Sequence, residues 1–274
     1  MRLLPLNNPF GAPVYYEETV SSTFDAARLL AAGNEAHGTV ITADFQEAGR
    51  GRQGRPWAVE RGKALLFTIL LRYADFPSIP AVLTLRTGLA VSLAVEDLLP
   101  ALAGMVKVKW PNDIMIGSHE APSVFGKAAG ILTETDGKNV FIGVGVNVSQ
   151  TDFPGEYRSR AVSLIRLSPG LCENARFILL EKILSRLYGE IEKNHEAVFP
   201  QNTAALRDSG RWREPLLKRL YMIGETVTFA EGAAGSTRLT AGTLSGIGPG
   251  GEILIIPKGE KEERAFLTGE LRVY

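Results

Sequence analysis

Cysteine is all but absent from this 274-residue chain: Cys172 stands alone, which excludes an internal disulfide and suits a reducing compartment. Histidine is scarce too. His37, His119 and His195 lie far apart, with no cysteine or second histidine at ligand spacing, which argues against a dedicated transition-metal site. Net charge is missing: 30 basic side chains cancel 30 acidic ones, and a pI near 6.9 offers no global attraction to nucleic acid or membrane. Any anion binding must therefore be local. Long apolar runs are also lacking. The stretch around 64–71 falls far short of the roughly 20 residues that span a bilayer, and residues 1–10 hold too short an apolar run for a signal peptide. A cytoplasmic protein with no membrane partner is the expectation, and the Asn147-Val148-Ser149 sequon carries no weight without an export signal. There is no internal repeat and no low-complexity tract. What is there, 45% hydrophobic and 22% charged residues, builds a proper core, and the length accommodates one large domain plus a small one.

Into this balanced background falls one concentrated motif, Gly49-Arg50-Gly51-Arg52-Gln53-Gly54-Arg55-Pro56-Trp57, with no acidic residue between Glu47 and Glu60. Glycine frees the backbone for close approach and positive φ, and guanidinium forks bind phosphate oxygens in pairs. The spacing predicts a phosphate-handling flap. Taken alone, it reads equally as a solvated basic loop or a patch touching nucleic acid. Gly49, Gly51 and Gly54 also fit a dinucleotide fingerprint, but that motif opens a helix, and here Pro56 and Trp57 follow at once. A second formal match, Gly246 to Gly251, leads into strand-like residues 252–256 and reads as a hairpin turn. Nor is there a Walker loop: Gly126-Lys127 is followed by Ala128, where Ser or Thr is needed.

Taken in order, strand formers at 13–20 run into Ser21, Ser22 and Thr23, a hydroxyl cluster placed to cap a helix over 24–30. A helix start also aims free N–H groups and hydroxyls at whatever lies above it, which suits a carboxylate or a ureido group; plain capping is the simpler alternative. Residues 39–45 form a second strand that delivers Gln46 and the arginine loop. The apolar run 65–71 predicts a strand buried on both faces, and Leu85, Leu89, Leu93 and Val95 a core helix over 81–99 ended by Pro100. At 105–110, Val106, Val108 and Trp110 alternate with Lys107 and Lys109. Pro111-Asn112-Asp113 then turns the chain into 114–116, which sets Lys109 on a polar face beside Asp113. Lys127 introduces a strand over 128–134. In the next strand Val140, Ile142, Val144, Val146 and Val148 alternate with Phe141, Gly143, Gly145 and Asn147. One face is thus stripped of side chains at two positions, so that a ligand or another backbone comes close, unless the glycines mark a bulge. A second amphipathic helix is expected over 175–195, weak helix over 201–219, and short strands at 226–229, 239–244, 253–256 and 265–267 whose glycine turns suggest a small barrel.

In this order, the hydroxyl cluster, GRGRQGRPW at 49–57, KWPND at 109–113, GKAAGIL at 126–132 and GVGVN at 143–147 resemble the biotin protein ligases, also called biotin–[acetyl-CoA-carboxylase] ligases. The likeness runs from about residue 14 to 272; GRGRQGRPW is its most specific part. It implies an α+β fold, a mixed sheet with helices of the biotin/lipoate ligase, class II synthetase-like type, with a catalytic domain over 1–219 and a small C-terminal β-barrel over 220–274. The implied reaction joins biotin to ATP as biotinyl-adenylate, releasing pyrophosphate, and then passes biotin to a lysine of a carboxylase carrier domain. Carried over residue by residue, the likeness makes Arg52 and Lys127 catalytic. Ser22, Thr23, Gln46, Arg50, Gly51, Arg52 and Lys127 become biotin contacts, and Arg55, Trp57, Lys109, Asn112, Asp113 and Asn147 a second tier toward ATP. Mg²⁺ is expected to arrive with ATP, held mostly by phosphate and water with Asp113 as the one protein carboxylate. The implied partners are biotin, ATP and the carrier domain, with no DNA, for a monomer or homodimer.

The chain departs from the pattern in two places. Phe24 stands where the family usually has Asn after Ser-Thr, which removes a hydrogen-bonding side chain from the biotin end. Catalytic sequence also begins within the first twenty residues, leaving no room for the N-terminal helix-turn-helix of bifunctional members, so a ligase that is not a repressor is expected. The rivals are a lipoate or octanoate ligase on the same scaffold and, from another class, a nucleic-acid binder using the Arg-Gly loop.

Overall fold

The computed structural model describes residues 1–118, 121–153, 155, 158–193, 211–232 and 237–272, with backbone alone at 121–123. Strands β1 (Arg2–Leu3), β2 (Val14–Val20), β3 (Thr39–Gln46), β4 (Ala64–Arg72), β5 (Val106–Lys109), β6 (Asp113–Ser118), β7 (Ala121–Thr135) and β8 (Asn139–Asn147) form one eight-stranded sheet. Its order is β1-β2-β3-β4-β8-β7-β6-β5. Helix α1 (Thr23–Ala32) returns the chain between β2 and β3, which therefore pair in parallel. Every other neighbouring pair in this sheet is antiparallel. The sheet is mixed, as expected.

Residue alternation decides which face carries the core. From β4, Leu65, Phe67, Ile69 and Leu71 join the main cluster with Leu89 and Val91 of α2 (Leu83–Leu98). A four-residue turn, α3 (Leu164–Leu167), leads to α4 (Ala175–Tyr188), whose Leu180, Ile183 and Leu187 complete that layer. Leu70 points the other way, into a smaller cluster beneath α1 with Phe24, Ile41 and Phe141. The strand is buried on both faces, as its unbroken apolar run requires. β8 sends Val140, Ile142, Val144 and Val146 to the main core, which leaves Gly143 and Gly145 on the α1 side.

The segment Phe76–Leu98 is long and apolar enough by composition to cross a membrane, with a mean hydropathy of 1.6, yet 61% of that window is buried inside the fold. It is the core helix. The expected helix over 175–195 is α4 followed by a π-type turn at Gly189–Lys193; His195 lies outside the described residues, as does His119. Of 201–219, the described part holds α5 (Arg213–Arg219), and 201–210 lie outside.

Beyond α5 come β9 (Thr226–Glu231), β10 (Leu239–Ile247), β11 (Ile253–Pro257), β12 (Arg264–Phe266) and β13 (Gly269–Arg272), an antiparallel five-stranded sheet in the order β12-β11-β10-β9-β13. Among the described residues β12 and β13 do not pair with each other, so the small sheet expected as a barrel is not shown closed. The 246–251 glycines do form a hairpin turn, with the Gly248 N–H donating to Glu252 O at 2.8 Å. Val227, Phe229 and Leu244 share the main hydrophobic cluster with the helical layer. Trp110 of KWPND is the peg between the sheets: its indole N–H donates to Gly251 O at 2.9 Å, and its ring lies 5.8 Å from that of Phe229.

Candidate active site

The arginine loop is an ordered arch. Gly51 N–H donates to Arg55 O at 2.8 Å and Trp57 N–H to Gly49 O at 2.9 Å, closing a hairpin-like frame. Gln53 (φ 61°) and Gly54 (φ 71°) make its tip in the left-handed region, where Gly54 is needed because a Cβ is strained there. A single 3₁₀ turn, Arg52–Gly54, is all the helix that forms, so the dinucleotide fingerprint is not realised. Each arginine grips a different element. Arg50 pairs with Asp25 of α1 at 3.1 Å and stands 3.9 Å from Glu134 of β7. Arg52 donates to Asn112 Oδ1 at 3.1 Å. Arg55 bonds both carboxylate oxygens of Glu270 on β13, at 3.1 and 2.9 Å.

Beneath the arch lies a cavity of about 190 Å³, floored by the glycine-bared side of β8. The β8 register to both neighbours runs unbroken through Gly143 and Gly145, so neither glycine is a bulge. Their missing side chains make room for aromatic rings: a Cβ on Gly143 would stand 2.2 Å from Phe24 Cε2, and one on Gly145 2.7 Å from Trp57 Cε2. At one end, Thr23 donates from its backbone N–H at 2.8 Å and its hydroxyl at 3.0 Å to Gln46 Oε1, and Thr68 donates to Thr23 Oγ1 at 2.9 Å. Gln46 thereby spends its carbonyl oxygen, and its NH₂ donors are what it has left for a ligand. Ser22, expected beside them as a ligand contact, is the N-cap: it is 1% exposed, and its Oγ accepts from Phe24 N–H at 3.2 Å. It is not among the residues lining the cavity.

The other end is charged. Lys127 Nζ sits 2.7 Å from Asp113 Oδ1 and 5.6 Å from the centre of the Trp57 ring. Its backbone is pinned, with the N–H donating to Arg160 O at 2.7 Å and the carbonyl accepting from Asn147 Nδ2 at 3.3 Å. Asn147 is 5% exposed and also donates to Val162 O at 3.2 Å, so it braces the strand that carries Lys127. Asn112 likewise donates to Ile131 O at 3.0 Å while accepting from Arg52. Burial pushes the Lys109 ammonium below the ordinary lysine value, against the pull of Asp113 and Glu270. Arg55, donating to Glu270, holds that carboxyl below the usual glutamate range. Arg52, Arg55, Lys109 and Lys127 against Asp113 and Glu270 leave an excess of positive charge on the lining. Such a site favours a polyanion at this end and a neutral, polar group at the other.

Twelve of the thirteen expected site residues therefore line one cavity, Ser22 being the exception. Pattern reading missed Glu270 and Thr68. A lone carboxylate in a four-residue strand has no motif around it, and Thr68 sits inside an apolar run that reads as pure core.

Residues 17–147 match the model of the Biotin/lipoate A/B protein ligase family. The chain is 37% identical over 166 residues to bifunctional ligase/repressor BirA of Bacillus spizizenii, covering 58% of this chain and 48% of the relative. It is 35% identical over 176 residues to biotin–[acetyl-CoA-carboxylase] ligase of Mycobacterium tuberculosis, covering 64% and 60%. The chain thus spans about half to three-fifths of the length of these curated relatives. Among solved structures, the biotin protein ligase of Aquifex aeolicus in complex with biotin and ATP superposes with a TM-score of 0.73 at 26% identity, covering 94% of this chain and 97% of that one. Within the matched stretch fall the Thr23–Gln46 pair, the arginine arch, Lys109 and Lys127. Glu270 is brought to the cavity from outside it.

Proposed function

We propose that this chain is an ATP-dependent biotin protein ligase. A biotin carboxylate oxygen attacks the α-phosphorus of ATP, the bond to the bridging oxygen breaks and pyrophosphate leaves. The ε-amine of a carrier-domain lysine then attacks the acyl carbon of the mixed anhydride, losing a proton as AMP departs. One observation carries the reading: Arg52 and Lys127 line a single cavity whose far end is the uncharged Thr23–Gln46 pair. Two acids repel each other as they are joined, and fixed cations relieve that repulsion without reorganising. The names of the relatives and of the Aquifex aeolicus complex support the same substrates.

In this reading Arg52 binds the α-phosphate, Lys127 bridges it to the carboxylate, and Lys109 and Arg55 hold the rest of the nucleotide. Thr23 and Gln46 take the ureido edge, while Arg50, Gly51 and Trp57 close the flap and keep water from the anhydride. Mg²⁺ shields the phosphates when bound. Asp113, the carboxylate on the lining nearest Lys127, fits a single-ligand role, and among the described residues no cluster of three or more metal-binding side chains offers a dedicated cage. The reading includes a catalytic unit over 1–219 with a C-terminal unit over 220–274, a cytoplasmic location and a biotin carrier domain as partner. Isothermal titration with biotin, lipoate and duplex DNA separates the rivals: biotin alone is expected to bind, and tight lipoate binding with none for biotin overturns the assignment.

A further inference from the structure

A second opening adjoins the active cavity. A groove of about 460 Å³ runs from the start of α2, past the KWPND turn and β7, to the C-terminal sheet at Gly251, Leu267 and Thr268. It has Arg52, Asn112 and Leu132 in common with the cavity, so the two meet at the side chain placed on the α-phosphate in the proposed reaction. The walls of the groove are fixed. Thr84 of α2 donates to Thr133 Oγ1 of β7 at 3.0 Å, and the Trp110 indole N–H donates to Gly251 O at 2.9 Å. Val82 lies so close on Gly251 that a Cβ there would stand 2.4 Å from its Cγ1.

The two openings differ in chemistry. Arg55, Lys109 and Lys127 line the cavity alone, whereas Arg52 is the one charged residue among the described residues lining the groove. The triphosphate therefore belongs to the cavity. The groove offers apolar walls such as Ile79, Pro80 and Leu267. At 77% exposure, Leu267 is the most exposed large apolar side chain among the described residues, and Phe76, 69% exposed, starts the short turn that leads into Ile79. Isolated apolar residues on a surface are ordinary, but exposed ones gathered at a preformed apolar groove mark a face that a macromolecule covers.

We propose that this groove is the docking surface for the carrier domain: an apolar patch beside the target lysine seats on Ile79, Pro80 and Leu267, and the lysine passes Arg52 to reach the acyl carbon. This rests on the reading of the chain as a biotin protein ligase, whose second half-reaction needs a folded protein to deliver an amine beneath the arch. With no carboxylate on the groove walls, basic neighbours of that lysine would lose their water and gain no partner, so the patch that fits is apolar.

The double variant Phe76→Ser with Leu267→Ser, both exposed positions outside the active cavity, separates docking from adenylation. Three activities of the full chain are compared: biotin-dependent exchange of pyrophosphate into ATP, transfer of biotin to a purified biotin carboxyl carrier domain, and trapping of the acyl group by hydroxylamine, which has no surface to dock. The variant is expected to raise the KM for the carrier domain about tenfold, the scale for losing apolar anchors from an interface, with kcat within about twofold. Exchange, the KM for ATP and hydroxamate formation are expected to match wild type. An unchanged carrier KM overturns the proposal. A raised KM for ATP overturns it too, by making the groove part of the nucleotide site, and so does an altered sedimentation coefficient of the chain alone, which assigns the groove to a second copy of the chain. Absence of biotin-dependent exchange in wild type instead overturns the function on which the proposal rests.

Discussion

Arg52 and Lys127 reach the same cavity from unrelated elements, one from a flap tip and the other from a strand pinned by Asn147. Neither is part of the hydrophobic core. Arg52→Ala and Lys127→Ala are therefore expected to lower biotin-dependent pyrophosphate release about a hundredfold to a thousandfold, the scale for losing one preorganised charge stabiliser, with melting temperatures unchanged. Wild-type release by either variant removes that residue from the role. Gly145 makes a different demand. A methyl there would meet the Trp57 indole at 2.7 Å, so Gly145→Ala is expected to lift the ring and weaken biotin and nucleotide binding roughly tenfold or more; unchanged affinities would mean that the indole has no part in closing the site. Much of this was legible beforehand, for a physical reason. Charges and bare glycines stand out against apolar alternation, so the arginine arch and the β8 face announce themselves, whereas the role of Lys127 came only from the family resemblance. Ser22 shows the limit: one hydroxyl at a helix start serves equally as cap or ligand contact, and only the Phe24 N–H at 3.2 Å reveals the cap.

The flap is the element whose behaviour couples the two sheets. Arg55 and Glu270 form a bidentate pair that ties its tip to β13. Both side chains are more than a third exposed, so the pair contributes under about 1 kcal/mol to stability; its value is in where it holds the arch. Glu270→Gln is expected to raise the KM for ATP severalfold with kcat less affected, and an unchanged KM would show that the latch does not position the flap. The pH dependence has a fixed sign. Glu270 sits below its ordinary value of 4.5 in the folded chain, so the stability it adds is fully present above that value and is lost as pH falls through the lower, folded one. The difference in melting temperature between wild type and Glu270→Gln should thus be constant above pH 4.5 and close below it; a gap that widens on acidification contradicts the pairing. No residue pattern foretold β13. Four residues led by a glycine carry too little alternation to read as a strand, and its pairing with β9 is a tertiary fact.

At the scale of the molecule, one hydrophobic layer joins the helical side of the large sheet to the small C-terminal sheet, and the site occupies the opposite face of β8. The pegging of Trp110 on Gly251 fixes Lys109, Asn112 and Asp113 in space, which is why a turn motif in the middle of the chain ends up facing a glutamate near its end. Periodicity gave the strands and the two long helices, while the mixed order of the sheet came from the family resemblance; register around the small sheet is set by strand ends that short glycine turns leave undetermined. Formation of an acyl-adenylate in this cavity is the proposed step, and exchange of radiolabelled pyrophosphate into ATP reads that step alone. With Mg²⁺ present, exchange should begin on adding biotin, stay at background without it or with lipoate in its place, and vanish in Lys127→Ala. Exchange that is indifferent to biotin, or equally fast in that variant, would contradict it.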